Sequence, residues 1–167
     1  MRAQKDGVGL LGEDRVMTAA VQDPAVVARF LGKLVEVPGS ECLWWTGAVS
    51  GRGHGRYWLT GTRVVIAHRF AFALVHGVEQ LPDLLGHRCD NPLCQRISAE
   101  HVVASTASRN RNEWLARRYL AVGPLADPRG PRRRAQELRD LARVDPAAVR
   151  NDIDRVALLV GHQPCLF

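Results

Sequence analysis

The feature that most constrains this chain is the spacing Cys89-x4-Cys94-x6-His101, with His87 two residues ahead of it, inside residues 86–114, GHRCDNPLCQRISAEHVVASTASRNRNEW. Core packing does not require such a density of metal-binding and proton-transfer groups. Cys89, Cys94 and His101 are three ligands of a kind zinc prefers, and a closed structural site wants a fourth. Cys42, beside Trp44 and Trp45, is the natural supplier. A site of Cys42, Cys89, Cys94 and His101 would pin the segment near residue 42 to the motif loop. The competing assignment for Cys42 is a buried free thiol, a common state for cysteine. The spacing favours zinc over it. Cys165 has no partner of comparable spacing.

The chain of 167 residues is long enough for one domain with a real core and short extensions. It contains no apolar run near the roughly 18 residues a membrane span needs, and its first residues do not read as a leader peptide. These features predict a cytoplasmic protein with no membrane partner. A reducing compartment makes metal binding a better use of the cysteines than disulfides.

Formal charge is +6, with positive excess in residues 37–118 (ten arginines against six acids) and 119–167 (eight against six), and balance in residues 1–36. Only Lys5 and Lys33 are lysines, so most of the positive charge is guanidinium, the form suited to bidentate phosphate contact. A genome-wide bias towards arginine codons gives the same count. Basic balance alone is therefore weak support for a nucleic-acid partner.

Residues 1–22 are poorly periodic and read as a mobile lead-in. Asp23-Pro24 opens a helix whose stripe is Val26, Val27, Phe30, Leu31 and Leu34, stopped by Pro38-Gly39. Residues 41–66, rich in glycine, tryptophan and β-branched residues, predict two or three short strands with tight turns. Ala67, Phe70, Ala71, Leu74 and Val75 share a helical face. Within the motif, residues 84–88 suit a strand, 89–98 a loop, and 101–105 a second strand. Ser105 or Thr106 then caps a helix through Asn110 and Trp114 to about Tyr119. Residues 123–131 read as a linker rich in proline and glycine, followed by two helices from Arg132 and from Asp145-Pro146, a hairpin appended to the core.

His87 is too close to Cys89 for both to chelate one ion comfortably, which leaves its imidazole available as a general base for water. A solitary histidine is more often structural; the case for His87 rests on its company. Asn110 and Asn112 on the following helix offer amide oxygens, hard ligands of the kind Mg²⁺ accepts, with surface solvation as the alternative. Arg109, Arg111, Arg117 and Arg118 around them are phosphate contacts or a solvated basic face.

The run His87-Arg88-Cys89-Asp90-Asn91-Pro92-Leu93-Cys94, with His101 and Asn110 downstream and Cys42-x-Trp44 and Ala67-His68-Arg69 upstream, resembles the HNH (His-Me finger) endonucleases. The likeness is to the homing-endonuclease-like branch with a zinc-binding loop, the His-Cys box, and it covers about residues 40–115. It implies an α+β fold with a ββα-metal core, a small antiparallel sheet, a zinc-braced loop and flanking helices. It implies that His87 activates water, that Asn110 holds one divalent ion such as Mg²⁺, and that Arg56 steadies the phosphate and leaving group. Arg56 follows Gly53-His54-Gly55, which resembles the Gly-Tyr-Gly-Arg signature of the branch with His54 in the tyrosine place; Arg63 is the reserve. The family's zinc ligands map to Cys42, Cys89, Cys94 and His101.

Two departures stand out. The segment after Cys94 is two residues longer than the family's usual Cys-Val-Asn-Pro-x-His-Leu and lacks its central asparagine, and Gly86 stands where other HNH branches carry an acidic metal ligand.

The resulting expectation is an N-terminal extension and helix (1–36), a nuclease domain (37–120) and a C-terminal helical extension (121–167). The function expected is metal-dependent hydrolysis of DNA phosphodiesters, with structural Zn²⁺ and catalytic Mg²⁺. The alternative is a zinc-stabilised DNA-binding protein without catalysis, and a ribonuclease or toxin-like nuclease would share the same site. Arg63, Arg109, Arg111, Arg117, Arg118 and Arg132 to Arg134 are the candidate nucleic-acid contacts. DNA is the expected partner, and a homodimer would suit double-strand cutting.

Overall fold

The structure, a computed structural model, describes residues 12–118 and 130–161. It is a mixed α+β arrangement whose strands form three small antiparallel sheets. Helices α1 (Gly12–Gln22) and α2 (Pro24–Leu31) lead into strand β1 (Leu34–Glu36). Asp23 caps α2 by accepting from the backbone N–H groups of Ala25 and Val26, as the Asp-Pro signal predicts.

Two expectations are corrected here. Residues 12–22 form a helix rather than a mobile lead-in, because Met17 and Ala20 are buried against α2 and the elements that follow; residues 1–11 lie outside the described residues. Leu34 is not the end of the α2 stripe. The helix stops at Leu31, and Leu34 opens β1, which pairs with β2 (Leu43–Trp45) in the register Leu34 with Trp45 and Glu36 with Leu43. A three-residue strand carries no period to read, and only its partner reveals it.

β3 (Ala48–Val49), β4 (Gly55–Thr60) and β5 (Arg63–Ile66) form the second sheet, with Arg56 opposite both Ala48 and Ile66. Gly55 is required by close approach: a Cβ there would lie 2.6 Å from the ring of Trp45. Helix α3 (Ala67–His76) follows directly and buries Ala67, His68, Phe70, Ala71 and Ala73. Phe30, Trp45, Tyr57 and Phe70 make the aromatic centre of the core, with ring centroids 4.8–5.9 Å apart. The Tyr57 hydroxyl donates to the carbonyl of Val26 at 2.6 Å, so this sheet is bolted to α2.

The third sheet pairs β6 (Leu84–His87) with β7 (Val102–Ser105), and α4 (Ala107–Arg118) follows. Thr106 caps α4 by accepting from the N–H of Arg109. The order strand, loop, strand, helix is therefore as read from the motif. Helices α5 (Pro131–Val144) and α6 (Pro146–Gly161) form a hairpin. α5 packs on β2 and β3, and Ala135, Leu138, Ala142 and Val149 belong to the same core as Met17 and Phe30. No helix among the described residues is long and apolar enough to cross a membrane. The linker read over residues 123–131 falls almost wholly outside the described residues.

Candidate metal centre and histidine cluster

The motif loop is built from β2 outward. The backbone of Trp44 bridges that of Cys94, Trp45 N–H donates to the Leu93 carbonyl at 2.9 Å, and Gln95 N–H donates to the Leu43 carbonyl at 2.8 Å. These bonds lay the loop alongside β2, which brings Cys42 to Cys89, Cys94 and His101. One ligand atom from each of the four lies within 4.8 Å of the others, an arrangement able to hold a metal ion such as zinc. His101 presents Nδ1, 3.7 Å from the sulfur of Cys42 and 3.6 Å from that of Cys94.

The donor set fits a thiophilic cation on electrostatic grounds. The S–H groups of Cys89 and then Cys94, followed by the side chain of Asn91, pull the Cys42 thiol far below its ordinary range. The same exchange, led by Cys42, pushes Cys89 up to about 11 and Cys94 further still. A bound dication supports all three as thiolates.

Asn91 orders the loop, a role not read from the sequence. It is fully buried; its Oδ1 accepts from Leu93 N–H at 3.0 Å and its carbonyl from Cys94 N–H at 2.9 Å. The Asn-Pro dipeptide after a cysteine was the available signal, since asparagine side chains close such turns onto their own backbone. Asp90 beside it takes a left-handed backbone, φ 55°, which aspartate tolerates better than most residues.

His87 ends β6 on the far side of Cys89. Its Nε2 lies 3.1 Å from Nδ1 of His68, in the first turn of α3, and its Nδ1 is covered from solvent. His54, just before β4, meets both rings, edge-on to His68 and tilted against His87, its ring centroid 5.7 Å from that of His87 and 5.6 Å from that of His68. Three imidazoles from three elements thus meet. Burial, then the neighbouring His87, His54 and Arg69, hold His68 well below the ordinary histidine range; burial and then Arg52 lower His54. The sequence reading noted His68 and His54 only as parts of the motifs around them. The usable signal was His68 on the apolar face of α3, flanked by Ala67, Phe70 and Ala71, where a polar ring needs a partner.

Arg56 is half-buried on β4, two residues from His54. Asn110, Arg109 and Arg111 are exposed on α4, and Arg63 is exposed on β5. α4 reaches β6 through Glu113: a Cβ on Gly86 would stand 3.9 Å from its Oε2. Arg109 is paired with Glu113 at 3.0 Å.

One assignment is corrected. Arg134 is 2 % exposed and its guanidinium pairs with Asp152 of α6, so it is an internal strut of the hairpin rather than a nucleic-acid contact. Arg132 and Arg133 are exposed, Arg133 lying 3.7 Å from Glu137. The side chains of Arg117 and Arg118 lie outside the described ones.

Comparison with known proteins finds no matching family model and no matching solved structure. The chain is 31 % identical over 83 residues to Protein 7.7 of Escherichia phage T7, an alignment that takes in 50 % of this chain. It spans 62 % of the length of that relative.

Proposed function

We propose that the chain is a metal-dependent DNA endonuclease of the HNH type, with a zinc-braced loop beside an open catalytic site. The observation that carries this reading is the position of His87: it ends β6 two residues before Cys89 of a four-ligand Cys/His cluster, and α4, which carries the exposed Asn110, reaches the same strand through Glu113. Zn²⁺ would be held by Cys42, Cys89, Cys94 and His101 and would supply structural stability. A divalent ion such as Mg²⁺ at Asn110 would supply charge neutralisation at the scissile phosphate. His87 takes the proton of the attacking water as its oxygen bonds to phosphorus and the bond to the departing sugar oxygen breaks. Arg56 holds a phosphate oxygen through its guanidinium.

The decisive experiment incubates plasmid DNA with the purified protein and Mg²⁺. Nicking or cutting is expected, with a loss of roughly 10²- to 10⁴-fold in His87→Ala at unchanged zinc content. Equal cleavage by that variant rejects His87 as the base. An RNA arm with the same preparation separates a deoxyribonuclease from a ribonuclease.

A second reading, a zinc-stabilised DNA-binding protein without catalysis, draws on the state of His87 in the free protein, one nitrogen bonded to His68 and the other covered. Binding that weakens with salt, without cleavage under any divalent ion, favours it.

A further inference from the structure

His68 is 4 % exposed, and its only described polar neighbours at the ring are two other imidazoles, His87 and His54, with Arg69 adjacent in the chain. It also sits in the first turn of α3, where the helix dipole disfavours a positive charge. The surroundings therefore hold it as a neutral ring with one N–H and one lone pair.

Two proton arrangements satisfy the 3.1 Å contact between His87 Nε2 and His68 Nδ1. In the first, His87 donates from Nε2 and His68 accepts at Nδ1, so both rings carry their proton on Nε2. In the second, His68 donates from Nδ1 and both rings carry it on Nδ1. A neutral histidine intrinsically favours the Nε2–H form, so the first arrangement leaves both rings in the preferred tautomer and the second forces both out of it.

We propose that His68 is a positioning residue for His87, accepting its Nε2–H at Nδ1 and thereby placing the basic lone pair of His87 on Nδ1. This rests on the reading of His87 as the general base. The bond does two further things. It fixes the plane of the His87 ring at the end of β6, and it remains in place when His87 gains a second proton during turnover, so the imidazolium keeps that acceptor. His54 packs edge-on against His68 and at a tilt against His87.

The test has two arms on the zinc-loaded full chain. Long-range ¹H–¹⁵N spectra of the histidine side chains are expected to show Nε2–H tautomers for both His68 and His87; an Nδ1–H tautomer on His87 overturns the proposal whatever the protein does to DNA. In the kinetic arm, His68→Phe is expected to lower kcat roughly 10- to 100-fold with KM and zinc content little changed, the range over which lost orienting partners act. His68→Gln, whose amide oxygen can accept from His87, is expected to recover most of that loss. Equal losses in both variants, or none in His68→Phe, overturn the proposal. A wild type that cleaves no nucleic acid rejects the nuclease reading, and the tautomer spectra still decide the role of His68.

Discussion

Trp44 and Cys94 face each other across an antiparallel bridge although 50 residues separate them in sequence. That pairing carries Cys42, two residues before Trp44, to the sulfurs of the motif loop. A metal held there would do structural work at a distance, joining β2, at the centre of the core, to the loop that leads into His101 and β7.

The first prediction concerns that cluster. Purified protein is expected to contain one zinc per chain, and Cys42→Ser to lose most of it and unfold at lower temperature. Because the neighbouring sulfurs push the Cys89 and Cys94 thiols up, zinc uptake near neutral pH should release about two protons. Calorimetry in buffers of different ionisation enthalpy measures this. Falling pH returns protons to the sulfurs, so zinc is lost on acidification; retention that does not change with pH would contradict the assignment.

Gly55 faces the ring of Trp45 with no room for a methyl group, the built Cβ lying 2.6 Å from the ring. Trp45 is fully buried and cannot retreat. Gly55→Ala is expected to destabilise by about 1–3 kcal/mol through overpacking, read as a lower midpoint in denaturant. Gly51→Ala, where a Cβ meets nothing within 4 Å, is the control.

Arg134 and Asp152 hold α5 to α6. Removing the buried guanidinium by Arg134→Ala should cost about 3 kcal/mol, while Arg132→Ala, at an exposed position, should change stability by less than about 0.5 kcal/mol. Burial alone would raise the Asp152 carboxyl, but bonds from Arg155 and Arg134 outweigh it and the pKa is depressed. A depressed carboxylate contributes stability that is present above the unfolded-state pKa, about 3.9, and is lost as pH falls through the folded value. The stability gap between wild type and Asp152→Asn should therefore narrow below about pH 4.

Exposure separates the arginines in binding as well. Arg111→Ala, at an exposed position on α4, is expected to weaken binding to duplex DNA of any sequence and to reduce the salt slope by about one. Arg134→Asp would test folding instead. An unchanged slope in Arg111→Ala would place the DNA elsewhere.

Which parts of this were legible follows from the range of the interactions. Asp23-Pro24, the stripe of α3 apart from Val75, which the structure leaves exposed, the two strands around the motif loop and the Thr106 cap are local signals, carried by residues within a turn or two of one another, and the structure repeats them. α1 and β1 escaped because short elements owe their stability to what they pack against: Met17 and Ala20 make sense only with α2 and α3 in place, and Leu34 only opposite Trp45. Arg134 was misassigned because one arginine among three looks like its neighbours until α6 places Asp152 beside it.

The sequence by itself determined the candidate ligands, because Cys89, Cys94 and His101 sit on one loop whose spacing already limits what they can do, and Cys42 was the one cysteine placed to join them. Tertiary structure alone decided the company of His87. His54, His68 and His87 come from the start of β4, the first turn of α3 and the end of β6, elements separated by sheet pairings and a helix. No local spacing encodes the meeting of three rings, because packing of those elements creates the contact and burial then sets the protonation of His68.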